Sequence, residues 1–242
     1  MSKFFERQSI VNAYIVSAMW YMVCVTFIPE PWCAFFKVIP IGLLIAGLAA
    51  HLRETKDPEN RKTLILPIIA LSFSMVGDVF GDVKLGSFKD MAFLLQMLFF
   101  MAAHFVYIGS FLRFMSAPRP TGLSKRDAWG RLGCTLFMVL FLMLLCDTVL
   151  PVLESKVFRL GVSAYMTIIS VMVFTSIMQV RRHVWQIILG ALLFAISDAI
   201  IAWTAFLPSN TIPLAIEDTL VFLSYFGAQI LINAGLLKKH QD

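Results

Sequence analysis

Charge is scarce in this sequence: Asp, Glu, Lys and Arg make up 14% of its 242 residues, against roughly a quarter in soluble domains. With 59% hydrophobic residues and a mean hydropathy of +0.82, a water-soluble fold is excluded, because one soluble core cannot hide that much apolar surface. Cysteine and histidine are also few, four of each, and none forms a CxxC pair or stands at metal-ligand spacing. Cys24, Cys33, Cys134 and Cys146 lie in or at the ends of apolar segments and read as buried small apolar residues. There is no G-x-S-x-G, which leaves serine-hydrolase chemistry unsupported. No A-x-A-like cleavage site follows the first apolar run, so that run reads as a retained helix.

Long apolar runs are what the sequence has in abundance. They occupy roughly residues 10–28, 32–50, 64–83, 91–112, 131–150, 157–179, 184–206 and 213–237, each long enough to cross about 30 Å of hydrocarbon as a helix. A transmembrane barrel would instead show segments of about ten residues with alternating polarity. The expected fold class is therefore all-α, a polytopic membrane protein of eight transmembrane helices in a single integral domain, 1–242. No room is left for a separate soluble domain.

The net charge of +5 is not a nucleic-acid footprint, because its positive residues fall in loops and on one side. The N-terminus, the 51–63 and 113–131 loops, the 180–183 turn and the C-terminus together hold 15 Lys and Arg, and the alternate loops, with Arg159 at the start of the sixth run, hold four. The positive-inside rule makes the first set cytoplasmic and puts both termini there.

A faint internal repeat aligns Ser72–Asp82 in the third run with Leu192–Ala202 in the seventh, superposing Asp78 on Asp198. Phe99–His104 likewise aligns with Ser224–Gln229, and Phe36-Lys37 with Phe158-Arg159. Two parallel four-helix halves, related by an axis along the membrane normal, would explain these matches.

Ionisable residues inside a bilayer cost about 2.5–3.5 kcal/mol each on insertion scales, so they usually face the bundle interior and act there. The candidates are Lys37, Asp78, Asp82, His104 and Asp198, with Glu217 and Asp218 at the start of the last helix. Chain direction puts Lys37, Asp78, Asp82 and Asp198 in the outer half of the membrane. Lys37 has two readings, a site residue or a side chain snorkelling to the outer interface, and Asp82, Glu217 and Asp218 also read as solvated helix ends. Asp78 and Asp198 are too deep for that, and an ion pair that only fixes helix register is their alternative. His104 suits a structural or a catalytic role equally. Gly77, Gly81, Gly190 and Ser197 flank the deep aspartates, and such small residues allow close helix approach, here expected between the third and seventh helices.

The set FFKVIP (Phe35–Pro40), S-x-x-G-D ending at Asp78, AAHFVY (Ala102–Tyr107), SAY (Ser163–Tyr165), GALLFAISD (Gly190–Asp198) and YFGAQILI (Tyr225–Ile232) resembles the YhhN family of membrane proteins, which includes the lysoplasmalogenases. The likeness runs from about residue 30 to 235. One departure is Val38, which follows Lys37 where the family often has proline. The resemblance implies hydrolysis of a lysoplasmalogen vinyl ether to a fatty aldehyde and a glycerophospho-head group, in the inner (plasma) membrane of a bacterium. It maps the catalytic carboxyls to Asp78 and Asp198, with Lys37, Asp82, His104, Tyr165 and Gln229 in binding or supporting roles.

The chemistry suits those residue types. A vinyl ether is hydrolysed by protonation of its β-carbon, and water then captures the oxocarbenium ion. One carboxyl, desolvated among Phe73, Phe80 or Phe194, would be the acid; a second would stabilise the cation or activate the water. No metal and no cofactor is expected, since only His104 of the four histidines lies within the membrane. The expected partners are a lysophospholipid substrate and membrane lipid, with no nucleic acid. Intramembrane carboxylates and the repeat also fit a proton-coupled transporter, and a lipid-binding protein without turnover is a third reading.

Overall fold

The computed structural model describes residues 2–28, 32–82, 88–113, 124–179, 184–207 and 214–238. Among them the long elements are all helical: α1 (Ser2–Phe27), α2 (Trp32–Glu54), α3 (Pro58–Gly81), α4 (Lys89–Arg113), α5 (Lys125–Thr148), α6 (Lys156–Met178), α7 (Val184–Phe206) and α8 (Leu214–Lys238). A single 3-10 turn, Leu150–Val152, follows α5. Helices α2 to α8 are each long and apolar enough to cross a membrane, and α1 carries the shorter apolar stretch Ser9–Val25. Seven helices of this kind, with α1 as an eighth, make the chain an integral membrane protein.

Several helices start earlier than their apolar runs. Helix α1 begins at Ser2 where the apolar run begins near 10, α3 at Pro58 where it begins near 64, and α5 at Lys125 where it begins near 131. Hydropathy registers only the part of a helix that meets hydrocarbon, whereas backbone hydrogen bonding continues into polar first turns. Pro58 is suited to a first helical position, where its missing N–H has no intrahelical partner to lose. Ser124 caps α5, its hydroxyl oxygen accepting from the Asp127 N–H at 3.1 Å. Pro40 and Pro67 lie inside α2 and α3, which continue through them. The expected helix limits at 83 and 213, the basic turn at 180–183, the connection at 114–123 and the tail beyond 238 lie outside the described residues.

The chain divides into two compact units, residues 1–106 and 107–242. In the first, α1 buries a stripe of Tyr14, Ala18, Tyr21 and Cys24, spaced by three or four residues as one helix face requires. Helix α2 buries Cys33, Lys37, Ile41, Leu44 and Leu48 at the same spacing. Helices α3 and α4 approach closely: a Cβ at Gly77 would lie 3.2 Å from the Phe100 ring, and one at Gly81 would lie 2.6 Å from Gln96 Nε2.

In the second unit α7 lies against α8. A Cβ at Gly190 would fall 2.9 Å from the Ile232 nitrogen and 3.0 Å from the Ala228 carbonyl oxygen, backbone atoms that cannot swing aside, so this crossing requires glycine. The Ser197 hydroxyl donates to the Val221 carbonyl at 3.2 Å. Arg131 of α5 donates to the Ile177 and Gln179 carbonyls, satisfying acceptors that the end of α6 leaves open.

The small residues flanking the aspartates therefore have partners other than those expected from the sequence. Gly77 and Gly81 serve α4, and Gly190 and Ser197 serve α8. Each is the antiparallel neighbour that follows directly in the chain, which a short connection brings alongside first.

Candidate functional site

In the first unit three helices bring polar groups together near their loop ends. Lys37 is the sixth residue of α2, about 8 Å from its start, and Asp78 stands three residues, about 5 Å, before the end of α3. The Lys37 Nζ lies 3.2 Å from Asp82 Oδ1 and 3.6 Å from Asp78 Oδ1. Tyr21 of α1 donates its hydroxyl to Asp82 Oδ2 at 3.4 Å. Asp78 is only 1% exposed and Lys37 8%, so this is an interior ionic cluster.

The structure settles how Asp82 and Lys37 are used locally. Lys37 does not snorkel, because its ammonium is turned to two carboxylates, and Asp82 holds Lys37 and Tyr21, unlike a merely solvated helix end. Asp78 and Asp82 are four residues apart, hence on one face of α3, and a single ammonium serves both.

Tyr21 was not apparent from the sequence as a site residue, because a tyrosine in an apolar helix is ordinarily core. The available signal was depth: Tyr21 stands six residues before the end of α1, and Lys37 five after the start of α2. A hairpin of α1 and α2 puts those positions level. On another face of α3, Phe80 stacks on Phe99 at 5.6 Å and Phe73 lies 6.3 Å from Phe99. His104 of α4 is fully buried at 0% exposure, one turn along from Phe100.

The second unit holds Asp198, half-buried, eight residues or about 12 Å before the end of α7. Tyr165 of α6 donates to Asp198 Oδ2 at 2.6 Å, a short hydrogen bond that fixes the carboxyl's orientation. Asp198 thus has a tyrosine partner, as Asp82 does. The aligned cation differs: Arg159 turns to the Leu153 carbonyl at 3.1 Å through Nε and 2.5 Å through a terminal nitrogen. Arg159 stands in the first turn of α6, within reach of the chain entering it, whereas Lys37 stands a turn and a half into α2.

Gln229 lies in a separate polar group in the same unit. Tyr107 donates to Gln229 Oε1 at 2.8 Å, and Asn233 Nδ2 donates to the Tyr107 hydroxyl at 3.3 Å. The crossing of Gly190 with Ala228 and Ile232 puts Gln229 level with the stretch of α7 near Gly190, two turns from Asp198. Glu217 stands in the first turn of α8, with Asp218 beside it. Among the described residues no three His, Cys, Asp or Glu side chains are grouped to hold a metal ion.

Residues 32–236 match the model of the YhhN family. No curated protein and no solved structure matches the chain.

Proposed function

This chain belongs to the YhhN family, and on that premise we propose that it is a lysoplasmalogenase, an intramembrane hydrolase that opens the vinyl ether of a lysoplasmalogen. A carboxyl, with Asp78 and Asp198 as the two candidates, delivers a proton to the β-carbon, and positive charge forms on the neighbouring carbon and ether oxygen. Water adds to that carbon and gives up a proton, restoring the one consumed. The hemiacetal collapses to a fatty aldehyde and a glycerophospho-alcohol. The net reaction consumes one water.

The observation that carries this reading is Asp78, 1% exposed and 3.6 Å from Lys37 on an apolar helix. Proton delivery by one carboxyl and stabilisation of an oxocarbenium ion by a second is the division of labour used by glycosidases. The test is release of aldehyde by the purified protein from lysoplasmenylethanolamine, with an equal amount of glycerophosphoethanolamine. Lipid that stays intact under folded protein would refute the proposal.

The same reading puts both termini in the cytoplasm and the Lys37 cluster in the outer half of the membrane. A C-terminal alkaline phosphatase fusion is accordingly expected to be inactive in cells and a C-terminal fluorescent-protein fusion bright. The opposite pattern would invert the topology.

A further inference from the structure

Ser74 opens the S-x-x-G-D segment and has no part in the cluster described above. It is 0% exposed, and its hydroxyl makes no hydrogen bond among the described residues. It shares this with Ser110 of α4, whereas other helical serines of the chain are engaged. Ser72, Ser163, Ser170 and Ser224 each donate to the carbonyl one turn back, at 2.8, 2.8, 2.6 and 2.6 Å, which is how a helical serine is satisfied inside a bilayer. Ser74 has the same option, at the same kind of helix position, and its hydroxyl is not so engaged.

The surroundings give that hydroxyl an occupant. Ser74 is four residues before Asp78 and therefore one turn inward on the same face of α3. Gly81 meets Gln96 and Gly77 meets Phe100, so α3 and α4 run antiparallel with a fixed register, and one further turn puts Ser74 level with Ala103 and His104. Both of these are fully buried. A buried hydroxyl left without a partner is costly in such surroundings. A buried water characteristically takes about three hydrogen bonds from groups of this kind.

We propose that Ser74 is a positioning residue that holds a hydroxyl-bearing molecule beside Asp78, and that this molecule is the hydrolytic water. The inference rests on the vinyl-ether reading above. In the step concerned, the water oxygen forms a bond to the oxocarbenium carbon while its proton passes to a carboxylate, and the resulting hemiacetal later loses the glycerophospho-alcohol. Ser74 neither gives nor loses a proton overall. It fixes where the water stands, which shapes both the rate of capture and the identity of the nucleophile.

The test compares wild type and Ser74→Ala on lysoplasmenylethanolamine in water and in water–methanol mixtures, scoring aldehyde against the mixed methyl acetal formed when methanol captures the cation. Ser74→Ala should lower kcat about 3- to 10-fold, the kinetic equivalent of one hydrogen bond, with KM little changed. It should also raise the acetal-to-aldehyde ratio, which a purely structural serine would not alter. Ser74→Cys, similar in volume and a weaker hydrogen-bonding group, should fall between the two and covers the case in which the alanine variant folds poorly. A raised KM with an unchanged ratio would mean that Ser74 binds the glycerol hydroxyl of the substrate, and the assignment to water would be wrong. Wild-type kcat and ratio in Ser74→Ala would overturn the inference alone, whereas no aldehyde from wild type would remove the enzymatic reading as well.

Discussion

Asp78→Asn is expected to lower aldehyde production at least ~10²-fold, the usual scale of a general acid or base contribution, in protein that remains folded in detergent. Asparagine keeps the size and hydrogen-bonding capacity of the side chain while removing both the transferable proton and the charge. The Lys37 ammonium would retain Asp82 at 3.2 Å, so the ion pair survives the change. Asp198→Asn should produce a loss of similar size, its carboxyl being held by Tyr165 at 2.6 Å. If the two carboxyls serve one transition state, the double variant should be little slower than the slower single one, because groups that act as a unit are strongly non-additive. Multiplicative losses in the double variant would show that the two residues contribute to separate steps. Near-normal turnover in both single variants would refute the catalytic assignment and favour transport or structural roles for these carboxyls.

Lys37→Met is expected to be the most damaging single change to stability. It removes the ammonium that Asp78 and Asp82 share and strands two carboxylates in the interior, a loss of about 3–5 kcal/mol on the scale seen when one partner of a buried pair is deleted. Thermal unfolding in detergent should show a marked fall in Tm. Combining Lys37→Met with Asp78→Asn and Asp82→Asn should recover much of that stability without recovering activity, since the penalty comes from uncompensated charge and the methionine itself packs acceptably. A Tm at the wild-type level in Lys37→Met alone would mean that the cluster is solvated and contributes little to the fold. Asp82→Asn should lower Tm by a smaller amount, because Asp78 would still face the lysine.

The helices were legible in the sequence because apolar runs of membrane-spanning length have few other outcomes. Their polar first turns were not, since Pro58 to Thr63 and Lys125 to Gly130 look like loop to any reading based on hydropathy. The association of Lys37 with Asp78 followed from counting residues inward from each helix end, which works because neighbouring helices cross the same slab. The partners of Asp82 did not follow: a carboxylate at a helix end satisfies the sequence equally well in water or in an ion pair, and only the placement of Tyr21 and Lys37 decides. The small residues misled in a specific way. Gly77 and Gly190 mark close approaches, but a glycine names no partner, and here the approaches are to α4 and α8. The repeat likewise aligned Lys37 with Arg159, yet Arg159 reaches the Leu153 carbonyl because it lies within reach of the incoming chain.

The central claim, that an acid protonates the vinyl ether before water adds, is tested most directly by running the hydrolysis in D2O and trapping the aldehyde at once by reduction. Protonation at the β-carbon places a single solvent-derived deuterium on the carbon next to the aldehyde, and the account predicts that mass spectrometry of the trapped alcohol will show it in nearly every molecule. Aldehyde released without that deuterium, or a chain shortened at the former double bond, would contradict the mechanism.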